Sequence, residues 1–335
     1  MVNLKDWLKL FRSNTAPMTV LRVEFFYLIS GAPFLSFFNG AVVLLATLLH
    51  WLAFGHNTLM DTARGFDKEN PHRKHDPLVS GSLQLDAVHN WINLLEILAI
   101  FAALLLVSVS SGNQVAALSF LVIFVIAGHA YNDGLDRSTI WGFVPYTLSY
   151  SSLCTAFYFL GTKAITPYFD LAIVYIILVE IFEAGWEIPL KDITVDKERN
   201  FLRTLGVKVE KSKFKCTMKG RLFAYGTKLG SYIILYILFL TGLLTISLNV
   251  IGISILSLLM LNVVFAVLLV ERTDYDHQRD LNFSLVVDIS SLLLLPLVFV
   301  EVIGSAAVSS MIIYAIAWFV IFNYYLWKSI YEPKD

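Results

Sequence analysis

Two short acidic patterns stand at the ends of long apolar runs. The first contains Asn57, Asp61 and Asp67. Asn57 and Asp61 are four residues apart, so they share one face of a helix. Gly65 is expected to end that helix, which places Asp67 just beyond it. This pattern predicts a group of oxygen ligands where a helix leaves an apolar segment.

The second pattern contains Asp192 and Asp196, which again share a helix face. Pro189 precedes them and predicts a kinked or redirected helix end. Two such pairs that face each other would form a cage of carboxylate and amide oxygens. Mg²⁺ prefers oxygen ligands and is often shared between carboxylates and substrate phosphates. The two patterns therefore predict a Mg²⁺ site.

Basic residues are interleaved with both acidic patterns, and their side chains form charge-assisted hydrogen bonds with phosphate oxygens. They are Arg64, Arg73, Lys74, Lys191, Lys197, Arg199 and Arg203. Each pattern alone could be a charged helix end that enters water. The two together, each followed by a basic loop, favour a diphosphate clamp that opens into an apolar bundle. The expected ligand has a polar head and an apolar tail.

The composition defines the elements that must position these residues. Of 335 residues, 57% are hydrophobic and 15% are charged, against about 45–50% and about 25% in soluble domains. This composition excludes a soluble two-domain enzyme and a disordered chain. Runs of about 20 apolar residues can cross a bilayer as helices. The predicted spans are 18–37, 40–60, 87–110, 114–131, 142–161, 167–189, 222–243, 248–270, 283–302 and 306–327.

The predicted fold class is therefore an all-α, polytopic transmembrane helix bundle that forms one domain over residues 1–335. One member of the last pair of apolar runs could re-enter the membrane, which gives nine or ten spans. Residues 1–16 place apolar and basic side chains at helical spacing, which predicts an amphipathic helix on the membrane surface. The net charge of −1 gives no global field for nucleic acid.

The positive charges orient the predicted bundle. The connections between spans are numbered in chain order, and those after the first, third, fifth, seventh and ninth spans are nearly uncharged. Of the 25 Lys and Arg residues, only Lys163 lies in one of them, and Arg22 and Lys228 lie within spans. By the positive-inside rule, both termini and the long loops 61–86 and 190–221 are cytoplasmic. The basic segment 208–221 is expected to contact anionic membrane lipids. A third polar segment, 271–282, either helps to cap the site or forms a self-paired loop.

At the acidic patterns the chain resembles the UbiA superfamily of intramembrane prenyltransferases. The first family motif is NDxxDxxxD followed by a stretch similar to RP-L-x-S-G. Asn57, Asp61 and Asp67 match it, with Asp67 two residues late, and residues 77–81 match the tail. The second motif, DxxxDxxxG followed by TLxV, is matched by Asp192, Asp196, Thr204, Leu205 and Val207. The first motif is most similar to that of the branch that prenylates dihydroxynaphthoate for menaquinone.

The chain departs from the family pattern at several positions. Thr58 replaces an Asp, Asp76 replaces the Arg before the proline, Ile188 replaces an Asn and Asn200 replaces a Gly. None of these positions is a predicted metal ligand. The departures therefore bear on the acceptor and the branch more than on the metal site.

The resemblance implies a helical bundle whose central cavity is capped by cytoplasmic loops. It implies that Asn57, Asp61, Asp67, Asp192 and Asp196 hold Mg²⁺ against a polyprenyl diphosphate, with Asp61 and Asp192 catalytic. The diphosphate leaves, an allylic cation forms, and an aromatic or lipid acceptor attacks it. Ring faces can stabilise the cation. The catalytic aromatic residues predicted from their position are Tyr146 and Tyr150, with Tyr131 nearby.

Several alternatives remain open from the sequence. The leading acceptor is an aromatic quinone precursor, and the rivals are an ether-lipid prenyltransferase, a terpene cyclase and a transporter or lipid-binding protein. Transporters tend to have broken helices at mid-membrane, whereas both acidic patterns lie at helix ends. Within the membrane region, Glu180, Glu183 and Glu187 could line an acceptor pocket, pair with Lys228 or face water.

Overall fold

Long helices dominate the chain, in agreement with the predicted all-α class. The computed structural model describes residues 3–135, 141–195, 200–241 and 249–327. The longer helices are α1 (Leu4–Leu10), α2 (Ala16–Ile29), α3 (Phe37–Ala63), α4 (Leu85–Val109), α5 (Gln114–Ala130), α6 (Phe143–Gly161), α7 (Pro167–Phe182), α8 (Met218–Leu240), α9 (Val250–Glu271), α10 (His277–Val298) and α11 (Ser305–Trp327). Short helical segments are Ser13–Thr15, Phe66–Glu69, Pro71–Arg73, Ile188–Lys191, Phe201–Thr204 and Val300–Ile303, and π turns follow α5 and α7 at Tyr131–Leu135 and Glu183–Glu187.

Each predicted span coincides with a helix. Within the described residues, seven helices are long and apolar enough to cross a membrane: α3, α4, α5 with its π turn, α8, α9, α10 and α11. The three other predicted spans correspond to α2, α6 and α7, which are shorter or more polar. The number of helices that cross the membrane, nine or ten, stays a prediction.

The first predicted span, 18–37, is wrong at its C-terminal end. Helix α2 stops at Ile29 because Gly31 takes a φ of +89°, a left-handed conformation that glycine adopts without strain. Its 14 residues give a length of about 21 Å, shorter than the roughly 30 Å hydrocarbon core. Nearly all of its residues are buried, so α2 is an interior helix.

Two compact units make up the chain. The first is built on α2, α3 and α4, with α1 against α3. Leu10 and Phe11 are buried there in one apolar cluster with Leu59 and Ile92. The residues assigned to the first unit are 1–119, 156–164 and 309–335, and those of the second are 120–155 and 165–308. The N-terminal helix therefore contributes to the core, while its position on a membrane surface stays a prediction.

In the second unit, α9 packs on α10 and α8 packs on α7. Asn262 of α9 is 1% exposed, and its Nδ2 lies 2.7–2.8 Å from the Val287 carbonyl and the Ser290 and Ser291 hydroxyls of α10. Its Oδ1 accepts a hydrogen bond of 2.8 Å from the Tyr232 hydroxyl of α8. One amide therefore connects three helices through buried hydrogen bonds.

Lys228 of α8 joins the same polar group. Its Nζ lies 3.5 Å from Asn262 Oδ1 and 4.3 Å from the centroid of the Phe182 ring. The Lys228 side chain is 3% exposed, and Glu187 and Asp288 are buried in the same unit. Of the three alternatives for the acidic residues of the sixth span, contact with water is excluded for Glu187, which is fully buried, and pairing with Lys228 stays a prediction.

Helix α7 does not end at Phe182 but continues through a π turn, Glu183–Glu187, into Ile188–Lys191. A π turn thus precedes Pro189, where the sequence predicts a kinked or redirected helix end. A proline removes one N–H donor from the helix ladder, and π bulges are a recognised source of helix distortion. The π turn therefore affects the orientation of the acidic residues around the axis at this helix end.

The segment 208–221 contains a small hairpin, which the all-helical prediction did not include. Strand β1 (Lys208–Glu210) pairs antiparallel with β2 (Lys213–Lys215). Lys211 and Ser212 both have positive φ, as a two-residue hairpin turn of the primed type requires. Alternating lysines face outward, and Phe214 between them is buried.

The third polar segment, predicted over 271–282, is shorter than expected. Helix α10 already begins at His277, because the Asp276 side chain accepts a hydrogen bond of 2.8 Å from the Arg279 amide and caps the helix. The remaining loop packs on the hairpin. The Phe214 amide donates to the Thr273 carbonyl at 3.0 Å. Of the two predicted alternatives, the segment is self-paired, because Arg279 Nη1 lies 2.9 Å from Asp274 Oδ2 and Arg272 Nη1 lies 3.0 Å from Asp280 Oδ1. A role in capping the site stays a prediction.

The buried amide of Asn262 yields a stability prediction. Asn262→Ala should lower the free energy of unfolding in detergent by about 1–3 kcal/mol, because interhelical hydrogen bonds in membranes contribute about 0.6 kcal/mol each, up to about 1.7. Thermal or SDS-induced unfolding measures the change. Ser254→Ala on the same helix is the control, because the Ser254 hydroxyl donates to the Val250 carbonyl of its own helix. Equal stability of the two variants would contradict a role for this network.

Candidate functional site

The first acidic pattern lies at the end of α3, as predicted. Asn57 and Asp61 are half-buried and belong to the last two turns of the helix. Gly65 has a φ of +84° directly after the helix end, which confirms it as the terminating residue. A short helical segment, Phe66–Glu69, follows at once and contains Asp67.

Asp67 is the most buried carboxylate of this group, at 5% exposure. The Thr62 hydroxyl lies 3.5 Å from its Oδ2, and Arg73 Nε lies 3.8 Å from its Oδ1. Burial raises the pKa of Asp67 to about 6; Arg73 opposes this shift, whereas Asp61 and Asp76 add to it. The protein therefore concentrates negative charge where little solvent can stabilise it, and a bound cation would relieve this repulsion.

The basic residues of the first loop have different environments. Arg73 also lies 3.4 Å from Asp76, so its guanidinium is shared between two carboxylates of the loop. Arg64 and Lys74 are exposed. The structure thus brings Arg73 to the acidic group itself, whereas the binding of diphosphate by Arg64 and Lys74 stays a prediction.

The second acidic pattern begins where the helical segment Ile188–Lys191 ends. Asp192 is half-buried there, whereas the predicted ligand Asp196 and the predicted diphosphate-binding Lys197 lie outside the described residues. The Tyr275 hydroxyl donates to the Lys191 carbonyl at 3.4 Å. The loop after α9 thus contacts the residue that precedes Asp192.

Arg203 stabilises the same helix end. Its Nη2 donates a hydrogen bond of 2.7 Å to the Ile193 carbonyl. Asn200 caps the helical segment Phe201–Thr204 and also donates to the Pro189 carbonyl. Ile193 itself belongs to an apolar cluster with Trp186, Leu190, Leu202 and Val207, all of them almost fully buried. The predicted diphosphate ligand Arg203 therefore also fixes the backbone next to Asp192.

A buried ion pair under the hairpin was missed by the sequence analysis. Arg272 Nη1 lies 3.0 Å from Asp280 Oδ1, with both side chains about 5% exposed or less, and the Arg272 guanidinium lies 4.1 Å from the centre of the Phe214 ring. The two charges are eight residues apart across a loop and a helix start. No single helix face contains both, so no periodic signal in the sequence could reveal the pair.

The predicted tyrosines form one cluster in the second unit. The ring centres of Tyr146 and Tyr150 are 4.8 Å apart, and that of Tyr131 is 5.3 Å from Tyr146. The Tyr146 hydroxyl donates a hydrogen bond of 2.7 Å to Glu183 Oε1. The sequence indicated the tyrosines and the glutamate separately but not this bond, which joins α6 to the π turn after α7.

Within the described residues, no group of three or more His, Cys, Asp or Glu side chains could hold a metal ion alone. The first pattern lies in the first unit and Asp192 in the second. The oxygen atoms that each pattern offers are of the kind that a hard cation accepts when it keeps water and takes further ligands from a phosphate group.

The fold and these helix-end motifs define a multi-pass helical membrane protein. The sequence model of the UbiA prenyltransferase family matches residues 18–287, so the chain belongs to this family and is a prenyltransferase. The resemblance, the all-α membrane fold and the enzyme class predicted from the sequence are thereby confirmed. The match does not identify a branch of the family.

Two solved structures with a TM-score of 0.58 share this fold. A structure described as that of digeranylgeranylglyceryl phosphate synthase in membranes shares 16% identity with a TM-score of 0.58, covering 90% of this chain and 99% of that one. The apo structure of a UbiA homologue from Aeropyrum pernix K1 shares 15% identity with a TM-score of 0.58, covering 90% and 98%. A UbiA homologue from Archaeoglobus fulgidus bound to GPP and Mg²⁺ shares 14% identity with a TM-score of 0.48, covering 94% and 99%. No curated protein sequence matches at a significant level.

The buried carboxyl group of Asp67 makes metal-free stability depend on pH. Its folded-state pKa of about 6 lies above the ordinary value of 3.8. Its protonation therefore stabilises the fold fully below pH 3.8, and this contribution is lost as the pH rises through about 6. In EDTA at pH 7.5, Asp67→Asn should unfold at a higher temperature than the parent, with a gain of up to about 3 kcal/mol.

Thermal unfolding at pH 4.5 and 7.5 tests this expectation, and the difference between parent and variant should be smaller at pH 4.5. The control is Asp86→Asn, which changes an exposed carboxylate in the first turn of α4. A variant less stable than the parent at pH 7.5 in EDTA would show that the Asp67 charge is not an energetic cost.

Proposed function

We propose that the chain transfers a polyprenyl group from polyprenyl diphosphate to a membrane-soluble acceptor in a Mg²⁺-dependent reaction. The observation that carries this proposal is the buried Asp67 beside Asp61 at the end of α3, next to Arg73. Buried carboxylate charge of this kind lowers the stability of the metal-free protein, and a bound cation would offset that loss. Family membership supplies the reaction class.

The residues that would hold the metal all offer oxygen atoms, which are the ligands that Mg²⁺ prefers. They are Asn57, Asp61, Asp67, Asp192 and Asp196. When bound there, the ion neutralises charge that develops on the leaving diphosphate.

The basic side chains of the chain bind the other diphosphate oxygens. They are Arg64, Lys74, Lys191, Lys197 and Arg203, with Arg73 positioning Asp67. The apolar helices accommodate the prenyl tail, and the folded loops exclude water from the cation. The rings of Tyr146 and Tyr150 offer π faces to that cation. By the charge distribution, the termini and the motif loops face the cytoplasm.

The acceptor we favour is an aromatic quinone precursor similar to dihydroxynaphthoate. This choice is supported by the form of the first motif, Asn57, Asp61, Gly65 and Asp67, followed by Leu-Val-Ser-Gly at 78–81. A glycerol phosphate lipid is the second candidate, because a structure of similar fold is described as digeranylgeranylglyceryl phosphate synthase.

A substrate panel distinguishes these acceptors. Purified protein is incubated with geranylgeranyl diphosphate, Mg²⁺ and either dihydroxynaphthoate, 4-hydroxybenzoate, a glycerol phosphate lipid or no acceptor. Diphosphate release and products are followed by mass spectrometry, with EDTA as the metal-free control. A Mg²⁺-dependent adduct identifies the acceptor class. A cyclic hydrocarbon formed without acceptor would instead indicate a terpene cyclase, and no diphosphate release from folded protein with any chain length would contradict the proposal.

The two acidic motifs are expected to be indispensable. Asp61→Asn and Asp192→Asn should each reduce Mg²⁺-dependent diphosphate release at least about 100-fold, the usual effect of removing one group that stabilises developing charge. Both variants keep side-chain volume, so thermal unfolding should show folded protein. Asp170→Asn, at an exposed position of α7, is the matched control. Parental rates in either motif variant would exclude the metal cage.

Arg203 is expected to act on diphosphate rather than on the acceptor. Arg203→Ala should raise the KM for geranylgeranyl diphosphate about 10-fold or more, because a hydrogen bond that involves a charged group contributes about 1.5–3 kcal/mol. The acceptor KM should stay near its parental value, and Arg203→Lys, which keeps the charge, should recover part of the loss. An unchanged diphosphate KM in Arg203→Ala would remove this assignment.

A further inference from the structure

The hairpin that precedes α8 has its charged side chains on one face. In the register of β1 and β2, Lys208 lies opposite Lys215 and Glu210 lies opposite Lys213. Residues directly opposite each other in a strand pair point to the same side of the sheet, and successive residues of a strand alternate in direction. Phe214 therefore points to the other side, where it is buried, whereas the four charged residues are exposed. They form the outer face of the hairpin.

This outer face has an excess of positive charge. Glu210 Oε2 lies 3.0 Å from Lys215 Nζ, so a single acidic side chain accompanies the three lysines of the strands. Lys211 in the turn is also exposed and adds a fourth ammonium group. Like charges directly opposite each other, as in Lys208 and Lys215, destabilise a strand pair. The hairpin thus contains an arrangement of charges that an anionic partner would stabilise.

Backbone hydrogen bonds to the loop after α9 hold the hairpin in place. The Phe214 amide donates to the Thr273 carbonyl at 3.0 Å, and the Tyr275 amide donates to the Ser212 carbonyl at 2.8 Å. On the buried side, the Arg272 guanidinium lies 4.1 Å from the centre of the Phe214 ring. The lysines therefore lie on a folded surface, and a partner that binds there does not have to order the backbone that carries them.

The hairpin is followed by a helix that is long and apolar enough to cross a membrane. The 23 residues of α8 give a length of about 35 Å, which exceeds the roughly 30 Å hydrocarbon core. We therefore expect the first turn of α8 to lie among the lipid headgroups. The hairpin ends at Lys215, only two residues before α8 begins at Met218, so its lysines are expected at the same level.

Exposed apolar side chains continue from this level along α8. Met218 and Leu222 are four residues apart, so they share one face of the helix, and they are 67% and 63% exposed. Leu229, Ile233 and Tyr236 are exposed further along the helix. A layer of ammonium groups is thus followed directly by a layer of exposed apolar side chains, which is the order of chemistry in a phospholipid leaflet.

We propose that the outer face of the hairpin is a docking surface for the anionic headgroups of membrane phospholipids, with Met218 and Leu222 against the adjoining acyl chains. Lysine near an anionic leaflet contributes a factor of about five to the affinity. The positive-inside rule concerns the number of basic residues in a loop and does not require them on one face of a folded strand pair. A nucleic acid or an acidic protein would use the lysines but would leave the apolar layer without a partner.

This surface has a role separate from the prenyl transfer proposed above. Its lysines belong neither to the acidic motifs nor to the basic residues assigned to the diphosphate. A binding assay therefore tests it without turnover, and its outcome is independent of the proposed function.

The experiment measures binding of fluorescent, tail-labelled phosphatidylglycerol to the purified protein in a neutral detergent, with phosphatidylcholine carrying the same label for comparison. The protein should prefer phosphatidylglycerol, and this preference should decrease with added salt, because salt screens exposed charges. Equal affinity for the two lipids in the unaltered protein would overturn the proposal.

A charge-removing variant combines Lys208→Gln, Lys211→Gln and Lys213→Gln. Its affinity for phosphatidylglycerol should fall at least about 10-fold, while its affinity for phosphatidylcholine and its unfolding temperature stay near the parental values. The matched control replaces the same three lysines by arginine, which keeps the charge and should keep the affinity. Lys163→Gln, at an exposed position in the connection after the fifth predicted span, should also bind as the parent does. Parental affinity in the glutamine variant would contradict the assignment.

Two further arms identify the kind of anion. Soluble glycerol phosphate should not displace the labelled lipid at equal concentration, because it has no acyl chain for the apolar layer; displacement would indicate a site for a soluble anion and overturn the assignment to lipid. Met218→Gln combined with Leu222→Gln should lower the affinity for phosphatidylglycerol several-fold through lost apolar contact. Unchanged affinity in this variant would show a surface that accepts any polyanion, such as a nucleic acid or an acidic protein, and would also overturn it.

Discussion

Polar side chains inside a membrane protein are stable only where they satisfy one another, because lipid offers no hydrogen bonds. The rest of the second unit depends on one such interaction, the bonds of Asn262 to α8 and α10. The Tyr175 hydroxyl of α7 also donates to the Ser291 carbonyl at 3.0 Å, which ties α7 to the same network. Since α7 leads through the π turn to Asp192, this polar network holds the helix from which the second acidic motif follows.

The sequence predicted those features of the fold that depend on residues close to one another along the chain. Apolar runs marked each long helix, and the four-residue spacing placed Asn57 and Asp61 on the last turns of α3. Gly65 was predicted to end that helix and does so with a positive φ. These signals are reliable because they depend on neighbours within one or two turns. The same reasoning brought Tyr146 and Tyr150 together, four residues apart on α6.

Features that depend on distant parts of the chain could not be predicted in this way. The ion pair of Arg272 and Asp280, the hairpin 208–215 that covers it, and the bond from Tyr146 to Glu183 all join separate elements. A glycine within an apolar run can either continue a helix or end it, so the run alone does not predict where the helix stops. The prediction for the first span therefore passed beyond Ile29, where α2 stops.

The buried carboxylate of Asp67 shows how an energetic cost to the fold can serve chemistry. Asp67 has Arg73 at 3.8 Å and other carboxylates around it, so its environment favours a cation. Glu183, by contrast, is half-buried and accepts a hydrogen bond from the Tyr146 hydroxyl, which stabilises its charge. The charge of Asp67 is harder to stabilise than a neutral side chain of similar size would be. Stability alone would have replaced it, and the proposed departure of diphosphate in the presence of a bound cation gives this charge a reason to remain.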